Sequence, residues 1–157
     1  MKKKQLFTGV MSVMMLGILA MPVHAEEMTV TYREPNTYTI SIPSSVDFKD
    51  GYKTQVGVND VNLEPNKKIT FKITDGIDNN GVMELAREND PNTKAVTTVS
   101  TTLDGTGIAN SSEFATFTEN KKQDLYFSTV QAKNSGAVKA GTYKGTLTFT
   151  IEAPEKN

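Results

Sequence analysis

The feature that most constrains the fold of this chain is a regular alternation of apolar and polar residues in short segments. In the closing segment one face carries Tyr143, Gly145, Leu147, Phe149 and Ile151, and threonines and charged residues occupy the positions between them. Successive side chains of a β-strand point to opposite faces, so a period of two turns one face to a core and the other to solvent. The pattern predicts one half-buried strand from Tyr143 to the end of this segment.

The same alternation recurs along most of the chain. Two clear copies and four weaker ones are present, at residues 38–42 and 69–73 and at residues 29–32, 56–58, 99–103 and 125–127. Turn-forming residues separate these segments, as in Glu34-Pro35-Asn36, Asp50-Gly51 and Asp90-Pro91-Asn92. The run of helix-forming residues from Val82 to Glu88 is short enough to be a strand or a short turn instead.

These segments together predict an all-β chain without a long helix. We expect about seven to nine strands, arranged as a single antiparallel β-sandwich of the Ig-like or jelly-roll-like kind. The chain has no cysteine, so the sandwich has to be stabilised by a hydrophobic core and not by disulfides.

Residues 1–25 have the pattern of a cleavable secretory signal peptide. Three lysines lie at the N-terminus, an almost uncharged stretch runs from Leu6 to Ala20, and Val23-His24-Ala25 has small residues where a signal peptidase reads them. A membrane anchor is the alternative, but a spanning helix needs about 20 apolar residues. We predict cleavage between Ala25 and Glu26, an extracellular location, a β-sandwich domain over residues 26–157, and no membrane segment after cleavage.

Loss of the leader also removes His24, the only histidine, together with three lysines. Residues 26–157 then contain no His, Cys or Trp and carry 14 basic and 18 acidic residues, a net charge of −4. Ser-His-Asp and Cys-His hydrolases need an imidazole or a thiol, and zinc, copper and haem sites mostly use the same side chains. We predict that the chain is not an enzyme, holds no metal or cofactor, and binds no nucleic acid.

Calcium needs only oxygen ligands, so the loop from Asp75 to Gly81 is a candidate for the calcium-loop pattern of the EF-hand. If Gly81 took the glycine position, the first and twelfth ligand positions would be Gly76 and Arg87, and neither supplies a carboxylate. A turn of Asn and Gly between two strands accounts for the loop better. A looser calcium site between loops stays open as an alternative.

Parts of the chain resemble known surface proteins. Residues 38–43 (Tyr-Thr-Ile-Ser-Ile-Pro), residues 61–70 and residues 140–151 are similar to small secreted surface proteins of Gram-positive bacteria. The closing segment with Ala153-Pro154 also resembles the end of the WxL cell-wall-binding domain, with Phe149 where that family carries a tryptophan. The resemblance implies an exported protein that attaches non-covalently to the cell wall.

The leader, the strand pattern and the missing catalytic residue types lead to one main functional hypothesis. We expect a non-enzymatic secreted or surface-associated module for binding or adhesion, with a cell-wall polymer, a glycan or another surface protein as its partner. Its specificity would lie in loops at the ends of the sheets. No binding residue can be assigned from sequence, although Tyr52 and Tyr126 are candidate exposed aromatic residues.

Two other classes of function stay open. The chain could be a structural subunit of an extracellular fibre, because the predicted first strand, Met28 to Arg33, could leave its own sheet and complete that of a neighbour. The same segment could equally be an ordinary edge strand of its own sheet. A glycan-binding or glycan-cleaving protein is the third hypothesis, since glycoside hydrolysis needs only two suitably spaced carboxyl groups.

Overall fold

A computed structural model describes residues 28–48 and 52–156 of the chain. Backbone contacts divide the chain into two compact units, Met1–Tyr32 and Arg33–Asn157. The predicted leader and its cleavage site between Ala25 and Glu26 lie outside the described residues. The described part of the first unit, residues 28–32, contains no helix or strand.

The second unit is all-β, as the alternation predicts. Ten strands occur among its described residues, and every pairing between them is antiparallel. Eight of the ten have five or more residues, against the expected seven to nine strands. The strands are β1 (Thr37–Ser41), β2 (Lys53–Asn62), β3 (Ile69–Asp75), β4 (Val82–Arg87), β5 (Asp90–Ser100), β6 (Glu113–Phe117), β7 (Lys121–Phe127), β8 (Gln131–Ala132), β9 (Tyr143–Lys144) and β10 (Thr148–Glu152).

The strands form two sheets that enclose one core. The larger sheet has the order β1-β2-β7-β5-β4-β9, with β8 also paired to β5, and the smaller sheet has the order β10-β3-β6. The predicted period of two is confirmed in β3, where Ile69, Phe71 and Ile73 are all fully buried. Val56 and Leu125 belong to the same buried cluster from the larger sheet. The result is a β-sandwich whose two layers share one hydrophobic core.

The segment with helix-forming residues is a strand. Residues 82–87 form β4, and Met83 and Leu85 are buried because alternate side chains face the core. The turn predicted at residues 90–92 is wrong in position. The chain reverses at residues 88–89, and Asp90 already pairs with Arg87. Residues 91–93 instead lie between the paired positions Asp90 and Lys94, where the register shifts. The turn-forming residues therefore produce a bulge in β5.

The closing segment is two strands and not the one strand predicted. Tyr143 and Lys144 pair with β4 in the larger sheet, whereas Thr148 to Glu152 pair with β3 in the smaller one. The chain crosses between the layers at residues 145–147. There the carbonyl oxygen of Thr146 lies so close to Gly76 that a Cβ on Gly76 would overlap it. The alternation of side chains continues through the crossing, which explains why the sequence predicts a single strand.

Two weaker strand predictions are also wrong. Residues 28–33 contain no strand. Leu103 does not continue the strand that contains Val99, because a turn closed by the hydrogen bond from the Gly105 N–H to the Thr102 carbonyl (3.0 Å) follows β5. As a result, the Leu103 side chain is 72% exposed. Residues 28–33 and 101–103 thus lie outside every strand of this structure, although their apolar residues alternate.

Candidate functional site

An open groove of about 940 Å³ lies between the two sheets of the second unit. Its floor consists of apolar side chains from three strands of the larger sheet, among them Val56, Leu85 and Leu125. One wall is formed by residues 42–48, which follow β1. The other wall is formed by residues 141–147 with Phe149, which lead into β10. The floor side chains Val56, Leu85 and Leu125 are at most 7% exposed, whereas Leu147 and Phe149 in the wall are half-buried, so the groove borders the sandwich core.

Two terminal strands, β1 and β10, adjoin the walls of the groove. β1 and β10 are the terminal strands of their sheets, so within residues 28–48 and 52–156 each has a strand partner on one edge only. The inward side chains of these strands, such as Ile40 and Phe149, are only half-buried, whereas Phe71 on β3 is fully buried. An unpaired strand edge beside half-covered apolar side chains is a surface on which a further strand can add.

The two terminal strands are tied together at one end. The Tyr38 hydroxyl donates to the carbonyl oxygen of Pro154 (3.0 Å), and the Asn36 Nδ2 donates to the carbonyl oxygen of Glu155 (3.2 Å). These bonds join the start of β1 to the segment that follows β10. The groove is lined from the opposite ends, where β1 finishes and β10 starts. The groove lining and these two hydrogen bonds therefore lie at opposite ends of the two strands.

Aromatic rings cluster at the groove. Phe48 lies between Tyr52 and Phe127, with ring centroids 5.0 Å apart in both pairs. Phe127 is buried, whereas Tyr52 is 42% exposed and so lies at the mouth. Of the two aromatic candidates that the sequence suggests, Tyr52 is the one that lines the groove.

Tyr126, the other candidate, belongs to a polar cluster on β2 and β7. Its hydroxyl donates to Asp124 Oδ2 (3.2 Å), and the Nζ of Lys53 lies 2.8 Å from the same oxygen. Gln55 donates to Asp124 Oδ1 (2.6 Å). The hydrogen bond from Lys53 is the largest influence that lowers the pKa of Asp124. These cross-strand contacts keep Tyr126 in a structural role on the sheet surface.

A second polar cluster surrounds Glu84 on β4. Lys94 Nζ donates to Glu84 Oε2 (2.7 Å), and Lys133 Nζ donates to Oε1. Hydrogen bonds from the two lysines lower the pKa of Glu84 to about 2, and the bond from Lys133 has the larger effect. The carboxylate therefore stays ionised and connects β4, β5 and the segment after β8.

The ion pairs of Glu84 predict a defined acid dependence of stability. The pKa of Glu84 in the folded chain is about 2, below its ordinary value of 4.5, so its contribution is complete above about pH 5 and is lost as the pH falls toward 2. We expect Glu84→Gln to lower the Tm near neutral pH, and the gap to wild type to close in that acid range. Thermal melts followed by circular dichroism between pH 7 and pH 2 measure the gap.

The exposed Glu119, on the turn before β7, provides the matched control. Glu119→Gln removes the same charge without touching the two lysines, so its gap to wild type should be small and nearly flat with pH. A Glu84→Gln gap that stays constant down to pH 2 would contradict the assigned ion pairs.

The loop from Asp75 to Gly81 is a turn, as its composition suggests. Asp78 Oδ1 accepts hydrogen bonds from the backbone N–H groups of Asn80 and Val82, both at 2.8 Å. Gly81 has a φ of 75°, in the left-handed region that suits glycine. Among the described residues, no group of three or more acidic side chains is placed to hold a metal ion.

Several residues of the groove lining are apolar positions that the sequence assigns only to a buried face. Leu147 and Phe149 are predicted as inward residues, but nothing in the alternation indicates that they border a groove. The missing signal is the pairing of β10 with β3 and of β1 with β2. It joins residues about 80 and about 20 positions apart, as in Lys72 with Thr150 and Thr39 with Asn59. Such pairing is a tertiary property.

Comparison with known proteins adds no family to this description. No protein-family model matches the chain, and no curated protein matches it. No helix within the described residues is long and apolar enough to cross a membrane. The resemblance to WxL and other surface proteins therefore stays a prediction from the segments quoted above.

Proposed function

We propose that this protein is a non-enzymatic extracellular binding module that takes an extended polypeptide segment into the groove between β1 and β10. The observation that carries the proposal is the groove of about 940 Å³, with an apolar floor, beside the unpaired edge of β10. A strand edge offers backbone N–H and C=O groups to an added strand, and adjacent apolar pockets select alternate side chains.

The charge state of the carboxylates supports a role in binding and not in catalysis. A general acid at neutral pH needs a raised pKa. Hydrogen bonds lower the pKa of Glu84 and Asp124, and the hydroxyl of Thr93 lowers the pKa of Asp90. Residues 26–157 also lack His and Cys. These groups suit structural ion pairs better than proton transfer.

The chemistry of the groove favours a polypeptide over a wall polymer or a glycan. Its floor is apolar, and Tyr52 supplies one exposed ring at the mouth. An extended peptide with alternating apolar side chains can fill the floor while its backbone pairs with β10. Another surface protein is therefore the partner that fits best, and the predicted leader supports an encounter outside the cell. Cell fractionation that recovers the protein only from the cytoplasm would overturn that location.

Peptide binding tests the groove directly. The probe is a fluorescein-labelled nonapeptide of alternating Val and Thr with Lys at both ends, and the protein is residues 33–157, the second compact unit. We expect saturable binding by fluorescence anisotropy, with slower hydrogen exchange of the β10 amides in the complex. Leu147→Arg places a charge in the lining and should weaken binding at least tenfold.

Thr148→Arg is the matched control, because Thr148 is exposed beside the half-buried Leu147. It adds the same charge at the neighbouring position and should leave binding within about twofold of wild type, because it lies outside the lining. Failure of the probe to bind wild type, or equal loss in both variants, would overturn the proposed function. Specific binding on a glycan array that Leu147→Arg abolishes would replace the peptide with a sugar ligand.

A further inference from the structure

We propose that the polypeptide bound in the groove is the segment Met28–Arg33 of a second copy of this chain. The copies would then assemble head to tail, each donating one strand and accepting another. This inference rests on the proposed function, because it names the partner of the same groove.

The donor segment, Met28–Arg33, has the amino-acid composition of a strand but forms no strand in this structure. Met28, Val30 and Tyr32 alternate with Thr29, Thr31 and Arg33, and valine, threonine and tyrosine all favour strands. No strand is assigned to the segment, and its three apolar side chains are 85%, 79% and 83% exposed. Large apolar side chains at such exposure mark an interaction surface when they share one face.

The lengths of the donor and acceptor match. Six residues in extended conformation span about 20 Å, and the five residues of β10 span about 17 Å. With Met28, Val30 and Tyr32 on one face, the segment presents three apolar side chains to the floor of the groove. Its threonines would then face solvent, continuing the row of exposed Thr148 and Thr150 on β10.

The base of the donor segment, residues 33–36 just before β1, favours a second copy over insertion into the same copy. Arg33 forms an ion pair with Glu64 (3.2 Å), and Asn36 Oδ1 accepts from the Glu64 N–H (2.8 Å), so this base is fixed beside the loop after β2. It lies at the start of β1, whereas the groove is lined from the end of β1.

Strand donation between copies is a heterologous contact. The donor segment and the acceptor groove are different surfaces, so every open assembly leaves one donor segment and one groove unused. Such contacts extend into open chains unless the rotation between copies closes a ring. The inference therefore predicts oligomers of increasing size and not a single closed dimer.

Assembly of residues 26–157 is compared with that of residues 33–157 by size exclusion with light scattering over a concentration series. We expect larger species only for the longer protein. A synthetic peptide of residues 26–34 should bind the shorter protein. The variant Val30→Asp in that peptide should weaken binding at least tenfold, because it places a charge on the apolar face. Thr29→Asp, on the opposite face, should change it by less than threefold.

A mixing experiment separates donor from acceptor. Leu147→Arg in residues 26–157 keeps the donor segment and blocks the groove, whereas residues 33–157 keep the groove and lack the donor. Each alone should be monomeric, and their mixture should give a one-to-one complex. Circular dichroism checks that the variant is folded, and the peptide experiment stands independently if it is not.

The outcomes distinguish the two proposals. If the Val/Thr probe binds residues 33–157 and the peptide of residues 26–34 does not, the self-assembly inference is overturned and the proposed function stands. If neither peptide binds, both proposals fall. A monomer of residues 26–157 whose β10 amides exchange more slowly than those of residues 33–157 would show insertion within one copy, and would also overturn the inference.

Discussion

Phe71→Ala is expected to lower the free energy of unfolding by about 3–5 kcal/mol, the range for removing a fully buried aromatic side chain. Phe71 is fully buried in β3, the central strand of the smaller sheet. Its ring lies 5.2 Å from that of Phe117 and 6.3 Å from that of Phe114, both edge to face. Truncation removes these contacts and leaves a cavity between the two layers.

Urea unfolding followed by circular dichroism measures this loss, since the predicted mature chain has no tryptophan. Phe71→Leu should be less destabilising, because it leaves a smaller cavity. Leu103→Ala is the matched control on the surface, since Leu103 is mostly exposed, and should stay within about 0.5 kcal/mol of wild type. A Phe71→Ala variant as stable as Leu103→Ala would contradict the position assigned to β3.

Asn36→Ala is expected to lower the free energy of unfolding by about 1–3 kcal/mol, because it leaves buried polar groups without partners. Asn36 is 4% exposed. Its Oδ1 accepts from the N–H of Glu64 (2.8 Å), and its Nδ2 donates to the carbonyl oxygen of Glu155 (3.2 Å). One side chain thus joins the start of β1 to the loop after β2 and to the segment after β10.

The same urea experiment tests Asn36→Ala against Thr39→Ala. Thr39 donates to Asp60 Oδ2 (3.2 Å) at an exposed position, so its loss should change the free energy of unfolding by about 0.5 kcal/mol or less. Hydrogen exchange should also become faster at the amide of Glu64 in Asn36→Ala. Equal stability of the two variants would show that the bonds of Asn36 do not hold these segments together.

Local pattern predicts much of this fold, because the conformation of a strand and the face of each side chain depend on neighbouring residues. The alternation at residues 69–73 correctly places Ile69, Phe71 and Ile73 in the core. The alternation at residues 38–42 likewise places Tyr38 and Ile40 inward. Residues 28–48 and 52–156 contain no long helix, which agrees with the same pattern, since closely spaced turns leave no room for one.

Sheet membership and the site depend on contacts that the local pattern does not contain. Residues 143–152 alternate throughout, yet they pair with β4 in one layer and with β3 in the other. Asn36 reads as a turn residue and becomes a buried connection between distant segments. The groove brings residues 42–48 together with residues 141–147, which are about 100 positions apart in the sequence.

The sequence by itself determined the all-β class of the fold, the inward faces of the clear strands and the residue types available for chemistry. The tertiary structure decided which strands pair, where the sandwich stays open, and that residues 28–33 form no strand in this chain. The physical reason is that alternation specifies the direction of each side chain within a strand. The hydrogen bonds that join strands come from the backbone, which is nearly the same at every residue, so partners are selected only when the whole core packs.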